Sequence, residues 1–313
     1  MKYRQLGHTG LRVSPICVGC MTFGREIDEA TATPIIRRAL DEGINFFDTA
    51  NTYAGGKSEE IVGRVLKSER DRVVVATKFA NPTGEGPNER GASSRVVKNA
   101  IDISLRRLQT DYVDLYQVHQ FDPDTPLEET LGALDDIVRA GKVRYIGCSN
   151  FAAWQVMKSL WISDRQRGSK FVSLQPRYSL VYRAPEAELL PMCEAEGLAV
   201  ISYSPLGGGF LTGKYKPGVP LPPDTRMSAT TRYQKLYSHA ANFRIVEALE
   251  SYAQARGTPK EQLALAWVMA HPAVTAPIVG LRSIAQLETA LSALALNMPP
   301  DQRDELSKLA DEA

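Results

Sequence analysis

Residues 43–60 read GINFFDTANTYAGGKSEE, and this stretch sets the pattern of the whole chain. The apolar run INFF is typical of a strand that is buried on both faces, as in a parallel sheet. The run stops at Asp48, Tyr53 follows after a few residues, and KSEE begins an amphipathic helical pattern. The stretch therefore predicts a strand–loop–helix unit with polar side chains where the strand ends.

The same layout recurs twice downstream. VVVATK (73–78) ends at Lys78, and VDLYQVH (113–119) ends at His119. In a barrel of parallel strands, the carboxyl ends of all strands face one mouth, where active sites form. An acid, a phenol, an ammonium and an imidazole are thus predicted to meet at that mouth.

Alternation of this kind runs through the chain, and it predicts one α/β domain spanning residues 1–313. Eight apolar runs predict strands near 15–20, 44–48, 73–77, 113–118, 143–148, 171–175, 198–203 and 275–279. Helical patterns lie near 31–42, 58–68, 93–108, 127–140, 151–166, 186–196, 260–270 and 283–294. Eight repeats favour a (β/α)8 TIM barrel. The alternative is a doubly wound sheet. Such a sheet would be expected to carry a G-x-G-x-x-G motif after the first strand, and VGCMTFGRE does not contain one.

Further segments lie outside the repeat. KYRQLGHTGLRVSP predicts an N-terminal β-hairpin that plugs the barrel bottom. Residues 206–239 are rich in Gly and Pro and predict a long loop, which in a compact domain is usually functional or disordered. Extra helices are predicted at 240–256 and at 300–311.

Composition excludes several classes of function. Lys plus Arg is 37 against 36 for Asp plus Glu, which argues against binding nucleic acid or an anionic membrane surface. No signal-peptide h-region and no membrane-spanning run are present. Cys17 and Cys20 form a lone C-x-x-C within an apolar run, without further Cys or His at metal-site spacing. We expect buried structural thiols, no metal site and a reducing, cytoplasmic setting.

The four polar residues suit proton delivery to a carbonyl oxygen. A tyrosine has an unperturbed pKa of about 10, and a nearby ammonium lowers it. Lys78 is predicted to lower the pKa of Tyr53, Asp48 to hold Lys78 charged, and His119 to orient the carbonyl by a hydrogen bond. Taken singly, each residue has a simpler explanation as a surface charge, a turn residue or a core histidine. Their joint occurrence at three strand ends favours catalysis.

Several segments resemble the signature segments of the aldo-keto reductase superfamily. They include GINFFDTANTYAGGKSEE, VVVATK, SLRRLQTDYVDLYQVHQFD, GKVRYIGCSNF and SYSPLGGGFLTGKY, in the family's order and spacing. The chain is most similar to the bacterial and plant-type branch that includes the potassium-channel β subunits. The resemblance implies reduction of small aldehydes or ketones by NADPH, with Tyr53 as the acid. Ala54 stands where the branch usually has Gly, which we expect to be tolerated if its φ is negative.

The resemblance also implies a set of cofactor-binding residues. They are Ser149, Asn150 and Gln175 for the carboxamide, Tyr203 for the nicotinamide ring, Ser204, Pro205, Leu206, Gly207, Gly209 and Lys214 for the pyrophosphate, and Gly280, Arg282, Ser283 and Gln286 for the adenosine phosphate. Thr289 and Ala290 replace the usual Glu-Asn pair that contacts adenine. The adenine contacts of this chain are therefore expected to differ from those of the family.

The substrate wall is predicted to include Met21, Phe23, Phe79, Gln120 and Phe121, together with Tyr178. Two other functions remain open at this point. One is a cofactor-binding regulatory module like the channel β subunits, with little turnover. The other is a Schiff-base lyase that uses Lys78 as its nucleophile.

Overall fold

A computed structural model describes residues 1–313, and its centre is a ring of eight parallel strands. The strands, numbered with an N-terminal hairpin, are β1 Arg4–Gln5, β2 Arg12–Val13, β3 Cys17–Gly19, β4 Phe46–Asp48, β5 Val74–Phe79, β6 Val113–Val118, β7 Val143–Ser149, β8 Phe171–Gln175, β9 Ala199–Val200 and β10 Ile278–Gly280. The sheet order is β10-β3-β4-β5-β6-β7-β8-β9, with every pair parallel. All eight predicted strands are present, although the last begins at Ile278.

The two edges of this sheet meet and close the barrel. The backbone amides of Thr275 and Ala276 donate to the Val200 carbonyl at 2.9 and 3.3 Å. The amide of Ile278 donates to the Ser202 carbonyl at 2.7 Å. The fold is therefore a (β/α)8 barrel, as the sequence predicts.

Helices surround the barrel. They are α1 Glu29–Asp41, α2 Lys57–Leu66, α3 Ser94–Leu108, α4 Leu127–Arg139, α5 Ala153–Gln166, α6 Leu189–Ala195, α7 Arg226–Ala229, α8 Thr231–Tyr237, α9 Ala240–Arg256, α10 Lys260–Met269, α11 Ile284–Ala295 and α12 Pro300–Glu312. Side-chain caps define several of their starts: the Asp28 carboxylate accepts from the Thr31 amide, and Ser93 caps α3 in the same way. None of the helices combines the length and the apolar character needed to cross a membrane.

The segment 206–239 differs from its prediction as a plain loop. It contains a 3₁₀ turn at Gly207–Thr212 and the short helices α7 and α8. The start of α7 is fixed by a reciprocal pair, in which Thr225 and Ser228 each bond the other's backbone amide. Helices of so few residues carry too little hydrophobic periodicity to be predicted from a Gly/Pro-rich stretch.

The hairpin β1–β2 closes the amino end of the barrel, as predicted. Leu6 and Val13 are fully buried among inward-facing strand residues such as Phe46 and Leu115. The Arg4 guanidinium donates to the backbone carbonyls of residues 269, 274 and 275. The interior is thus filled with apolar side chains at this end, and the carboxyl end of the barrel is left for polar groups. The four cysteines are buried free thiols, in agreement with their predicted structural role.

Candidate active site

The four residues singled out from the sequence meet at the carboxyl end of the barrel. Asp48 is the last residue of β4, Lys78 lies near the end of β5, and His119 directly follows β6. Tyr53 opens a 3₁₀ turn that follows β4. Parallel pairing with matched ends brings side chains from three neighbouring strands to one point.

Lys78 is the centre of the group and is completely buried. Its Nζ lies 2.5 Å from Asp48 Oδ1, 2.7 Å from the Thr49 carbonyl oxygen and 3.4 Å from the Tyr53 hydroxyl. Burial acts to lower the pKa of Lys78, but the Asp48 carboxylate and the Tyr53 hydroxyl raise it, and the result is about 12. The ammonium therefore stays charged and directs one donor at Tyr53.

Two glutamines hold the other oxygen of Asp48. Gln175 Nε2 donates to Asp48 Oδ2 at 2.9 Å, and Gln117 Nε2 donates at 3.3 Å. Gln175 was predicted to bind a carboxamide; it lines the cleft and also buttresses Asp48. Sequence reasoning missed Gln117, although a polar residue at an inward position of the apolar run VDLYQVH was a usable signal.

The pKa of Tyr53 is raised overall, although the predicted lowering by Lys78 is present. Burial is the largest cause; Lys78 acts to lower the pKa, and Asp48 acts to raise it. Burial of a phenol disfavours its anion more strongly here than one neighbouring ammonium favours it. Tyr53 is accordingly protonated, which is the form that a proton donor needs.

His119 is neutral in this setting. Burial lowers its pKa to about 3, with further lowering by Lys78 and Arg232. Its ring meets the Tyr53 ring edge-on, with centroids 5.8 Å apart. Its Nδ1 is buried and has no hydrogen-bond partner within the protein. A neutral imidazole carries one N–H, and it can donate a hydrogen bond without transferring a charge.

A cleft of about 970 Å³ extends from this group toward β10 and α11. It is lined by most of the residues that the resemblance assigns to the cofactor: Ser149, Asn150, Gln175, Tyr203, Ser204, Pro205, Leu206, Gly209, Lys214, Gly280, Arg282 and Gln286. Gly207 and Ser283 do not line it, and Ser283 instead caps α11. Gly208, which the sequence reasoning passed over, does line it. Of the two departures from the family, Thr289 reaches the cleft and Ala290 is buried.

Asn150 joins the strand ends around this cleft. Its amide nitrogen donates to the His119 carbonyl at 2.9 Å, and its Oδ1 accepts from the Tyr203 hydroxyl at 2.9 Å. Asn150 has a φ of 57° and Ser204 has a φ of 56°, a region that costs energy for any residue with a Cβ. Strained backbone of this kind gathers at ligand-binding sites. Ala54 has a φ of 52°, so the condition under which alanine was expected to be tolerated there is not met.

Basic side chains gather at the far end of the cleft. Lys214, Arg226 and Arg282 all line the cleft, and burial, Arg282 and Arg226 all lower the pKa of Lys214. Arg282 also donates to the Asp224 carbonyl at 2.8 Å, which ties the segment before α7 to the start of α11. Arg226 was missed from the sequence because only the folding of this segment over the cleft brings it there.

The structure brings only part of the predicted substrate wall to the cleft. Met21 and Gln120 line the cleft. Phe23 and Phe79 are fully buried away from it, and Phe79 stacks on Tyr116 with centroids 4.8 Å apart. Phe79 directly follows the inward-facing Lys78, and strand alternation turns it to the opposite face.

Two further aromatic residues also lie outside the cleft lining. Phe121 packs edge-on against Phe151, which takes the place at the wall. Tyr178 is buried, and its hydroxyl donates to the Glu186 carboxylate at 2.5 Å.

Comparison with known proteins identifies the family. The model of the "Aldo/keto reductase family" matches residues 15–311. The chain belongs to the aldo/keto reductase family. Its relatives include the "Uncharacterized oxidoreductase YrpG" of Bacillus subtilis (strain 168), 40% identical over 310 residues that cover 95% of this chain and 92% of the relative.

Other relatives of this aldo/keto reductase carry more specific names. The "Versiconal hemiacetal acetate reductase" of Aspergillus parasiticus is 35% identical over 330 residues, covering 96% of this chain and 95% of that protein. The "Probable voltage-gated potassium channel subunit beta" of Oryza sativa subsp. japonica is 36% identical over 302 residues, covering 94% and 91%. The family thus includes named oxidoreductases and a named channel subunit, and the predicted resemblance to both is confirmed.

Proposed function

We propose that this protein is an NADPH-dependent reductase that converts aldehydes or ketones to alcohols, with Tyr53 as the general acid. One observation carries the proposal. The Tyr53 hydroxyl lies 3.4 Å from the fully buried Lys78 ammonium, which is itself fixed to Asp48, at the inner end of a long cleft. A protonated phenol beside a permanent positive charge can give up its proton to an oxygen that is gaining negative charge.

The cleft fits a dinucleotide. Tyr203 lines the inner end and bonds Asn150 through its hydroxyl, and the Lys214, Arg226 and Arg282 cations gather at the outer end. Gly208 and Gly209 lie between the two ends with φ of 66° and 91°. A side chain at Gly209 would come within 2.9 Å of Lys214 Nζ, so glycine keeps this approach open. A nicotinamide cofactor held here would supply the hydride.

The tetrad residues divide the remaining work. Tyr53 donates its proton to the carbonyl oxygen, and Lys78 stabilises the phenolate left behind. Neutral His119 donates a hydrogen bond to the same oxygen and sets the angle of the carbonyl. Asp48, held by Gln117 and Gln175, keeps Lys78 charged and in place.

We assign the choice of NADPH over NADH to Arg282. It lies two residues after the end of β10, at the outer end of the cleft and within the cluster of cations. A guanidinium is always charged and binds phosphate through two parallel donors. The extra phosphate of NADPH gives this residue a partner that NADH lacks.

The decisive experiment measures NADPH consumption with a panel of aldehydes and ketones. Tyr53→Phe is expected to lower kcat by about 10²–10⁴-fold, the usual worth of general acid catalysis, while still binding NADPH. Tyr116→Phe is the matched control, because its hydroxyl is buried without a partner and it does not line the cleft. A Tyr53→Phe variant as active as the Tyr116→Phe variant would remove Tyr53 from the role of acid.

A regulatory module is the second candidate, and the 36% identity to a named channel β subunit is the observation that favours it. The same assay separates the two, since a module of that type binds NADPH but turns over no carbonyl at a useful rate. The Schiff-base alternative is disfavoured, because a pKa of about 12 keeps Lys78 protonated and therefore not nucleophilic.

A further inference from the structure

Two arginines line the cleft in addition to Arg226 and Arg282. They are Arg177, which follows β8, and Arg232, the second residue of α8. Neither forms a salt bridge with any carboxylate of the protein. Arg177 is half-buried and Arg232 is exposed, so both are open to an anion that enters the cleft.

Arg177 is fixed in place by aromatic rings. Its backbone pairs with that of Tyr203, so it stands beside the residue proposed to contact the nicotinamide. Its guanidinium lies over the Tyr182 ring at 3.5 Å and faces the Tyr237 ring at 5.8 Å. Contact with these ring faces holds the guanidinium at the wall of the cleft.

Arg232 lines the cleft from a different element, the helix α8. The segment that carries α7 and α8 crosses the cleft, and Arg232 lines it next to Tyr233. Arg232 is one of the charges that lower the pKa of His119, after burial and Lys78. Burial raises the pKa of Tyr203, and both Arg177 and Arg232 act to lower it. Both arginines line the same cleft as Tyr53 and His119.

Two of the three carboxylates that line the cleft are paired with basic side chains. Three acidic residues line it: Glu26, Asp48 and Glu261. Asp48 is paired with Lys78, and Glu26 is paired with Arg25 at 2.5 Å. Glu261 lies in the first turn of α10, which packs against the 207–212 turn. The substrate end of the cleft is thus left with positive charge.

We propose that the substrate end of the cleft binds carbonyl compounds that bear a carboxylate, which Arg232 grips with Arg177 as the second cation. The proposal rests on the reductase function argued above and adds the substrate class. A guanidinium matches a carboxylate through two parallel hydrogen bonds. Meanwhile Tyr53 and neutral His119 remain available for the carbonyl oxygen of the same molecule.

The test uses two aldehydes of the same shape and different charge. 4-Carboxybenzaldehyde is anionic, and 4-formylbenzamide is its neutral counterpart. With NADPH and the wild-type protein, kcat/KM is expected to be higher for the anion. In Arg232→Gln the ratio of the two kcat/KM values should fall by roughly 10- to 150-fold, as expected for a lost hydrogen bond to a charged group. Arg177→Gln should lower the same ratio.

Lys235→Gln is the matched control. It removes one exposed positive charge from the same short helix, and Lys235 does not line the cleft. The ratio of the two kcat/KM values for Lys235→Gln should equal that of the wild-type protein. An equal fall in Lys235→Gln would mean general electrostatic attraction, and would overturn the assignment to Arg232.

Other outcomes also overturn the inference. A wild-type ratio near one would mean that the cleft does not prefer an anionic substrate. An unchanged ratio in Arg232→Gln with a raised KM for NADPH would assign Arg232 to the cofactor. If no aldehyde is reduced at all, the reductase function fails instead. The inference is then judged by calorimetry of benzoate and benzamide with the NADPH-bound protein. Benzoate binding that is equal in wild type and Arg232→Gln would refute it.

Discussion

Replacing Lys78 by Met is the sharpest test of the tetrad, because the lysine is completely buried and bonds three oxygens. Methionine keeps the length of the side chain and removes its charge. Breaking a buried ion pair by removing one partner costs about 3–5 kcal/mol. We expect the lower part of that range, since Gln117 and Gln175 still donate to Asp48.

A double-mutant cycle separates the pair from the packing. Asp48→Asn alone leaves the Lys78 ammonium buried and short of its anion, and we expect a cost similar to that of Lys78→Met. The double variant leaves no buried charge, so it should lose less than the sum of the two single variants. Coupling between contacting residues is usually about 0.5–3 kcal/mol, and we expect the upper part of that range.

The assay is equilibrium urea unfolding at pH 7, followed by circular dichroism. The sign of the pKa shift makes this pH suitable. The folded-state pKa of Lys78 is raised to about 12, so its stabilising charge is fully present below the unfolded value of about 10.4. That contribution is lost only as the pH rises through the folded value.

Lys142→Met is the control for the same chemical change in an exposed setting. Lys142 pairs with Asp102 at 2.6 Å, but both side chains are more than a third exposed. Such surface pairs are worth about 0–1 kcal/mol. If Lys78→Met cost no more than this control, or if the cycle gave zero coupling, the reasoning about a buried pair would be refuted.

Three further predictions follow from single residues. Arg282→Ala should weaken NADPH binding by about 10- to 150-fold and leave NADH binding nearly unchanged, as measured by fluorescence titration; equal weakening of both cofactors would exclude a role in reading the extra phosphate. Ala54→Gly should raise the free energy of unfolding by up to about 1 kcal/mol. Left-handed backbone costs an alanine about 1–2 kcal/mol, and the greater conformational freedom of glycine in the unfolded chain offsets part of this gain. A lower urea midpoint for the variant would contradict the prediction. The pKa of His119 is lowered to about 3, so protonation of His119 favours the unfolded chain. The free energy of unfolding should therefore fall with decreasing pH by up to about 1.4 kcal/mol per unit between about 6.5 and 3. His119→Gln should show a shallower slope over that range, and an identical slope would argue against a buried neutral imidazole.

The sequence predicted those features that depend on local pattern. A buried strand must be apolar throughout, so a polar residue at its end, such as Lys78 or His119, indicates both the strand and the mouth. Strand alternation could also have excluded Phe79 from the wall, because it directly follows Lys78. The raised pKa of Tyr53 could not be predicted, because it depends on the balance between burial and one nearby charge.

Residues that act through long-range folding were not predictable either. Arg226 and Arg232 lie in a Gly/Pro-rich stretch with no strand or strong helical period, and only the path of that stretch over the cleft brings them to the site. The left-handed conformation of Ala54 was also hidden, since the sequence shows a missing glycine but not the φ that the turn imposes.

The hydrogen bonds from Arg4 to the carbonyls near β10 have a consequence for how the protein is synthesised. Arg4 donates to the carbonyl of Val274, which lies 270 positions later in the chain. Strand β3, the first strand of the barrel, likewise has β10 as one of its two partners in the sheet. Translation at roughly 5–20 residues per second separates the synthesis of these two segments by roughly 14–54 s. For that time the first strand of the barrel has an open edge, a surface prone to mispairing. Chaperone dependence during synthesis should therefore be greatest for nascent chains that stop before β10.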